Sequence, residues 1–344
     1  MGSLTAIGQS TGVRVIEVTP EVVPRADRFA PLRPLHQWLE DVIGGWSVRR
    51  GEYLLEHDYE GLLRFVAASR RTHAWWSRPA MSLAQAEAMQ TGAPGGALPA
   101  SPTPASWFAP VRGEPRGFVL YVHGGSFISE RSPKITALIG RFAAAANARV
   151  FAPSYRLAPE HPCPAAIEDI EAAFAWLSRV WPDEPVVAVA ESSGSAILLS
   201  AIQRMQARGE PMPRGLMLLS PWVDLSLQSR SMALTTISRT ATSSMEHMAL
   251  MARLYARDRS TADPLVSPLY GEMKGLPPML IHASKTDMLY DDAVRLADRV
   301  RDANGDLTLR LWTGEGHVWE RTSVPAARQS IQLGAEFIRD RLAS

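Results

Sequence analysis

Residues 186–205 read VVAVAESSGSAILLSAIQRM. Val186–Ala190 is a short, continuous apolar run, as expected of a strand buried on both faces of a parallel sheet. Ala196–Met205 reads as a helix. Between them, Glu191-Ser192-Ser193-Gly194-Ser195 must reverse the chain within a few residues. A strand, a tight turn and a helix with serine at the apex is the arrangement that lifts a nucleophilic hydroxyl above the end of a sheet. In so sharp a turn the residues two before and two after the serine must be small. Ser192 is flanked in that way by Ala190 and Gly194, whereas Ser193 has Glu191 and Ser195, and Ser195 has Ser193 and Ile197. Sterics select Ser192. Taken alone, such a segment is more often an ordinary serine-rich helix cap, and it is the other motifs that overturn that reading.

Further apolar runs stand on either side of this one: Phe118–Val122, Val150–Ala152, Leu216–Leu219, Met279–His282 and Leu307–Trp312. Helical patterns separate most of them. From 165 to 181, Ile167, Ile170, Phe174, Leu177 and Trp181 recur at spacings of three and four, after Pro162 and Pro164, which favour a helix start. The alternation implies an α/β class with a doubly wound, mostly parallel sheet and helices on both faces. The rhythm breaks between Leu225 and about Pro268, which reads as an insertion over the sheet. Residues 1 to about 90 carry Trp38, Trp46, Trp75 and Trp76 without a β/α rhythm, and Thr91–Ser106 reads as a linker.

Composition bounds the function. Lys and Arg number 36 against 35 Asp and Glu, a net charge of +1, so no field is set up to attract nucleic acid or anionic lipid. The single cysteine, Cys163, excludes an intrachain disulfide and reads as buried and inert. The N-terminus lacks the pattern of a secretory signal, and Ala6 stands where a myristoylation signal wants Ser or Thr. No apolar run approaches the ~18 residues that would span a membrane. The expected location is cytoplasmic, without membrane insertion. Neither H-E-x-x-H nor a cysteine pair is present, and no G-x-G-x-x-G follows a strand, so neither a metal nor a dinucleotide cofactor is expected.

Ligands of an open parallel sheet bind outside the carboxyl ends of its strands. His123-Gly124-Gly125-Ser126-Phe127 directly follows the first run, and glycines there allow backbone N–H groups to converge on one spot, as an oxyanion hole requires. Asp287, in Ser284-Lys285-Thr286-Asp287, follows Met279–His282. His317, in Gly314-Glu315-Gly316-His317, follows the last run. A serine nucleophile needs a base and the base an orienting carboxylate, and the chain order Ser, Asp, His suits this architecture. His36, His57, His73 and His247 fall outside the strand-end loops, and His282 reads as a strand histidine with its hydrogen bonds satisfied.

These motifs, together with the phrase Tyr155-Arg156-Leu157-Ala158-Pro159-Glu160-His161-Pro162 and Asp287-Met288-Leu289-Tyr290-Asp291, resemble the bacterial hormone-sensitive-lipase-like branch of the α/β-hydrolases over roughly residues 105–340. The resemblance implies a catalytic triad of Ser192, Asp287 and His317. Its oxyanion donors fall on the N–H groups of Gly124, Gly125 and Ser193. It also implies a helical cap, which divides the chain into cap (1–60), core (61–224), cap insertion (225–265) and core (266–344). The implied activity is cofactor-free hydrolysis of short- to medium-chain carboxylic esters, small-molecule substrates. A homodimer through edge strands is common among proteins of this resemblance. The other readings are an amidase, lactonase or acyltransferase with the same nucleophile, or a non-catalytic binder of small molecules. Four positions depart from the family pattern: Ser126, Ala190 and Ser195 replace glycines, and Met288 replaces a proline. A left-handed backbone at Ser126 would cost about 1–2 kcal/mol.

Overall fold

In the computed structural model the residues described are 4–10, 12–18, 47, 49–76, 88–91, 101–111, 113–235 and 245–344. The strands are β1 (Leu4–Ser10), β2 (Val13–Val18), β3 (Ala88–Thr91), β4 (Ala105–Pro110), β5 (Phe118–Val122), β6 (Arg149–Pro153), β7 (Val186–Glu191), β8 (Leu216–Leu219), β9 (Met279–Ser284) and β10 (Leu307–Trp312). They form one sheet in the order β1-β2-β10-β9-β8-β7-β5-β6-β4-β3. Every pairing from β2 across to β6 is parallel, while β1, β4 and β3 add antiparallel pairings at the two ends.

Every residue of β5, β7, β8 and β9 is buried, so this centre needs a layer on each face. Alternate residues of β5 supply the two layers. Val119 and Tyr121 pack with α3 (Pro133–Ala146) and α9 (Pro325–Ala343). Phe118, Leu120 and Val122 join the layer built on α4 (Ala165–Val180), α5 (Gly194–Ala207) and α8 (Tyr290–Asp302). From β5 the chain goes to β6 on one side and then returns to β7 on the other. The order therefore reverses between β5 and β7, and a crevice opens outside their carboxyl ends. His123 follows one of these ends and Ser192 the other.

The N-terminal expectation needs correcting. Leu4–Ser10 and Val13–Val18 are strands of the sheet, not part of a helical cap. The sequence VRVIEV suits a strand, and β2 pairs with β10 in parallel over six residues. Leu307 donates its N–H to Gly12 O at 2.9 Å, Arg14 meets Asp306, and Lys285 meets Glu17. The boundary at residue 60 also falls inside a helix, α2 (Tyr59–Trp76), which follows α1 (49–57). Trp38 and the rest of 19–46 lie outside the described residues, as do 92–100 of the expected linker.

The break after β8 carries α6 (Arg230–Thr235) and α7 (Met245–Ala256). Met248, Leu250, Met251, Leu254 and Tyr255 of α7 are buried in the same layer as Leu54 and Leu62. Arg253 pairs with Glu56 at 3.2 Å, so α7 is joined to α1.

Candidate active site

Ser192 has φ of 50°, a left-handed backbone that a non-glycine residue adopts only where its surroundings enforce it. Its N–H donates to Leu219 O at 2.9 Å, and its own O accepts from Trp222 N–H at 3.1 Å. A Cβ at Gly194 would lie 2.4 Å from Val122 O and 2.5 Å from His123 O, so only glycine lets α5 start this close to β5. Ser193 and Ser195, the other two serines of the turn, are fully buried.

His317 and Asp287 arrive on the loops after β10 and β9. His317 Nε2 lies 2.9 Å from Ser192 Oγ, and His317 Nδ1 lies 2.9 Å from Asp287 Oδ2. Asp287 Oδ1 accepts the Leu289 N–H at 3.1 Å, and the Ser220 hydroxyl also serves the carboxylate. Burial pushes the Asp287 carboxyl up, but His317 and these donors outweigh it and hold it below its ordinary 3.8. Ser284 and Thr286 donate their hydroxyls to Glu315 O at 2.7 and 2.6 Å, joining the acid loop to the histidine loop.

The loop 123–128 departs from expectation at one donor. Gly124 N–H points at Glu191 Oε1, 3.3 Å away. The N–H groups of Gly125, Ser126 and Ser193 take no acceptor among the described residues. The buried Glu191 carboxylate beside Ser192 takes the Gly124 donor. Ser126 and Phe127 have φ of 52° and 67°, so the missing third glycine does not prevent a left-handed loop. The loop is braced from outside. Ala158 N–H donates to Phe127 O at 3.1 Å, and Arg70 reaches the Ile128 and Ala158 carbonyls while gripping Glu160 at 2.7 and 2.9 Å. Arg156 grips Asp169 from the same phrase.

Other singled-out residues lie elsewhere. His57 is exposed with its ring against Tyr53, His247 is on α7, and His36 falls outside the described residues. His73 is on α2. His282 is only half satisfied: Nδ1 meets Ser330 Oγ at 2.7 Å, while Nε2 has no partner among the described residues. Ser330 Oγ in turn donates to Glu320 Oε1 at 2.6 Å. Cys163 is buried, and its thiol is pushed up to about 11 by that burial. Among the described residues no group of three or more His, Cys, Asp or Glu could hold a metal ion, and no helix is long and apolar enough to cross a membrane. Sequence reasoning missed Ser220, Arg70, Arg321 and the use of Glu191. Only Glu191 left a local signal, a lone charge ending an apolar strand.

A sequence model of the α/β-hydrolase fold matches residues 119–321. An acetyl-hydrolase of Streptomyces hygroscopicus is 32% identical over 249 residues, 72% of this chain and 83% of that protein. An esterase of Acinetobacter venetianus is 30% identical over 223 residues, covering 64% and 73%. The crystal structure of an esterase from the bacterial hormone-sensitive lipase family superposes with a TM-score of 0.72 at 28% identity, over 80% of this chain and 92% of that one. The chain belongs to the α/β-hydrolase family, among the carboxylic ester hydrolases related to bacterial hormone-sensitive lipase.

Proposed function

We propose that this chain is a serine carboxylesterase acting on small esters of short to medium acyl length. The observation that carries the reading is the unbroken run Ser192 Oγ, His317 Nε2, His317 Nδ1, Asp287 Oδ2, with 2.9 Å at each hydrogen bond. In that geometry His317 takes the Ser192 proton as Oγ attacks the ester carbonyl carbon. Asp287 keeps Nδ1 protonated, so Nε2 is the lone pair that faces the serine, and it stabilises the imidazolium that forms. The carbonyl oxygen, now an anion, is received by the N–H groups of Gly125, Ser126 and Ser193. His317 then gives the proton to the leaving alkoxide as the carbon–oxygen bond breaks, leaving an acyl group on Ser192. Water, deprotonated by the same histidine, attacks the acyl carbon. The acid leaves and Ser192 recovers its proton.

Acyl length follows from cover. Tyr255 of α7 stacks on Phe127 of the oxyanion loop with ring centroids 4.0 Å apart, so an apolar layer lies against the loop. A covered site favours soluble esters over emulsified lipid, and the name acetyl-hydrolase given to the Streptomyces relative points the same way. The test is hydrolysis of p-nitrophenyl esters of increasing acyl length by the wild type, Ser192→Ala and Ser193→Ala. The wild type is expected to work best at about two to eight carbons, Ser192→Ala to lose several orders of magnitude, and Ser193→Ala to keep most of its rate. A Ser193→Ala enzyme as inactive as Ser192→Ala would overturn the choice of serine, and efficient turnover of triglyceride emulsions would make the protein a lipase.

A further inference from the structure

Behind the oxyanion loop lies a charge pair that the reaction above does not use. Glu191 ends β7, adjoins Ser192 and is fully buried, so its carboxylate must find its donors within the protein. Oε1 accepts from Gly124 N–H at 3.3 Å, and Oε2 accepts from Arg321 Nε at 2.8 Å. Arg321 stands four residues past His317, at the end of the 3-10 helix Trp319–Arg321. Burial pushes its guanidinium down, but Glu191 more than reverses this and holds it above its ordinary value.

Arg321 Nη2 is buried without a partner among the described residues. A Cβ placed on Gly124 would sit 3.1 Å from that nitrogen and 3.0 Å from Ser192 Cβ, which puts the guanidinium directly behind the loop and the nucleophile. Arg141 grips the carbonyls of Glu320 and Thr322 on either side of Arg321, so the backbone carrying the guanidinium is itself held.

We propose that Glu191 and Arg321 form a buried positioning pair that sets the oxyanion loop against Ser192 and ties it to the segment following His317; the proposal rests on Ser192 being the nucleophile. One carboxylate meets three segments at once: its own strand into the elbow, the loop through Gly124, and the histidine side through Arg321. By holding the Gly124 N–H, Glu191 leaves those of Gly125 and Ser126 to the substrate. An anion so close behind the loop would also oppose the charge that builds on the substrate oxygen. Arg321 cancels it. Neither residue touches the reacting atoms; both act through the loop.

A simple structural ion pair would change stability and leave the rate per competent site alone, so the test reads kcat and KM separately. Competent sites are counted by stoichiometric release of p-nitrophenol from diethyl p-nitrophenyl phosphate, and turnover is measured on p-nitrophenyl acetate. Arg321→Met is expected to lower kcat per titrated site about 100-fold, the scale of a misplaced reacting group, with KM within about threefold. Glu191→Gln combined with Arg321→Met removes the uncompensated anion and should regain at least about tenfold over Arg321→Met, a non-additivity characteristic of coupled groups. Arg321→Lys keeps the charge and should stay within about tenfold of wild type. An Arg321→Met enzyme within about threefold of wild type, or a double variant slower than Arg321→Met, would overturn the pair's role. Should Arg321→Met not fold, the remaining two variants decide: both within about tenfold of wild type supports the proposal, and either one falling further refutes it. A wild type that neither hydrolyses the acetate nor takes up the phosphate would contradict the serine mechanism itself. An active, labelled wild type with an indifferent Arg321→Met contradicts only the pair.

Discussion

Replacing Asp287 with Asn changes one atom of the carboxyl group, and the structure says which way the amide must face. Oδ1 already accepts the Leu289 N–H at 3.1 Å, and a backbone donor in a buried site cannot be left facing another donor. The amide oxygen must therefore stay on Leu289, which turns the NH2 toward His317 Nδ1, now the acceptor. That fixes the proton of neutral His317 on Nε2, facing Ser192 Oγ 2.9 Å away. The serine then meets a donor where it needs a base. The same wrong tautomer in another serine hydrolase lowers kcat by about 10⁴, and at about 1.4 kcal/mol per factor of ten this corresponds to about 5 kcal/mol of transition-state stabilisation. The assay is kcat on p-nitrophenyl acetate for wild type and Asp287→Asn, with circular dichroism to establish the fold. A variant within about tenfold of wild type would refute the orienting role of Asp287. Asp291 could not readily take it over, since its Oδ2 is committed to the Ser231 N–H at 2.7 Å.

Glu320 is expected to make stability fall with rising pH. Burial, opposed by the Ser330 hydroxyl, raises its carboxyl from 4.5 to about 7, so between those values the folded state holds the proton that the unfolded chain has released. At about 1.4 kcal/mol per unit, wild type should lose up to about 3 kcal/mol relative to Glu320→Gln between pH 4.5 and 7, read by urea unfolding at each pH. A pH-independent difference would contradict the assignment. Met251 is 4% exposed in the core layer, so Met251→Trp should lower stability by about 1–3 kcal/mol through overpacking, with the acyl-length profile unchanged. A variant of wild-type Tm that accepts only shorter acyl chains would place Met251 in the substrate pocket instead.

What the sequence made legible follows from what burial writes into it. FVLYV, LMLL and the MLI that opens β9 are continuous apolar runs because both faces of β5, β8 and β9 are covered, and they announced the sheet directly. The strands missed are those at the ends. In β4, ASWFAP buries only Trp107 and Phe108, and β2 buries Val13 and Val18 with one exposed and three half-buried residues between them, so neither carries such a run. The left-handed turn at Ser192 was legible because a tight turn restricts the residues two positions away. The Gly124 N–H has a partner that no local pattern records, a carboxylate 67 residues further along the chain. Arg321 and Ser220 left no signal either, since each works through contacts made only when the strand-end loops meet.

Covalent trapping shows whether Ser192 carries the acyl group. Wild-type protein is treated with diethyl p-nitrophenyl phosphate, and the modified peptide is fragmented between Ser192 and Ser193. One diethylphosphoryl group per chain is expected, on Ser192, with esterase activity lost in proportion to labelling and no labelling of Ser192→Ala. A label on Ser193, Ser195 or any residue outside the elbow, or full activity in fully labelled protein, would contradict it.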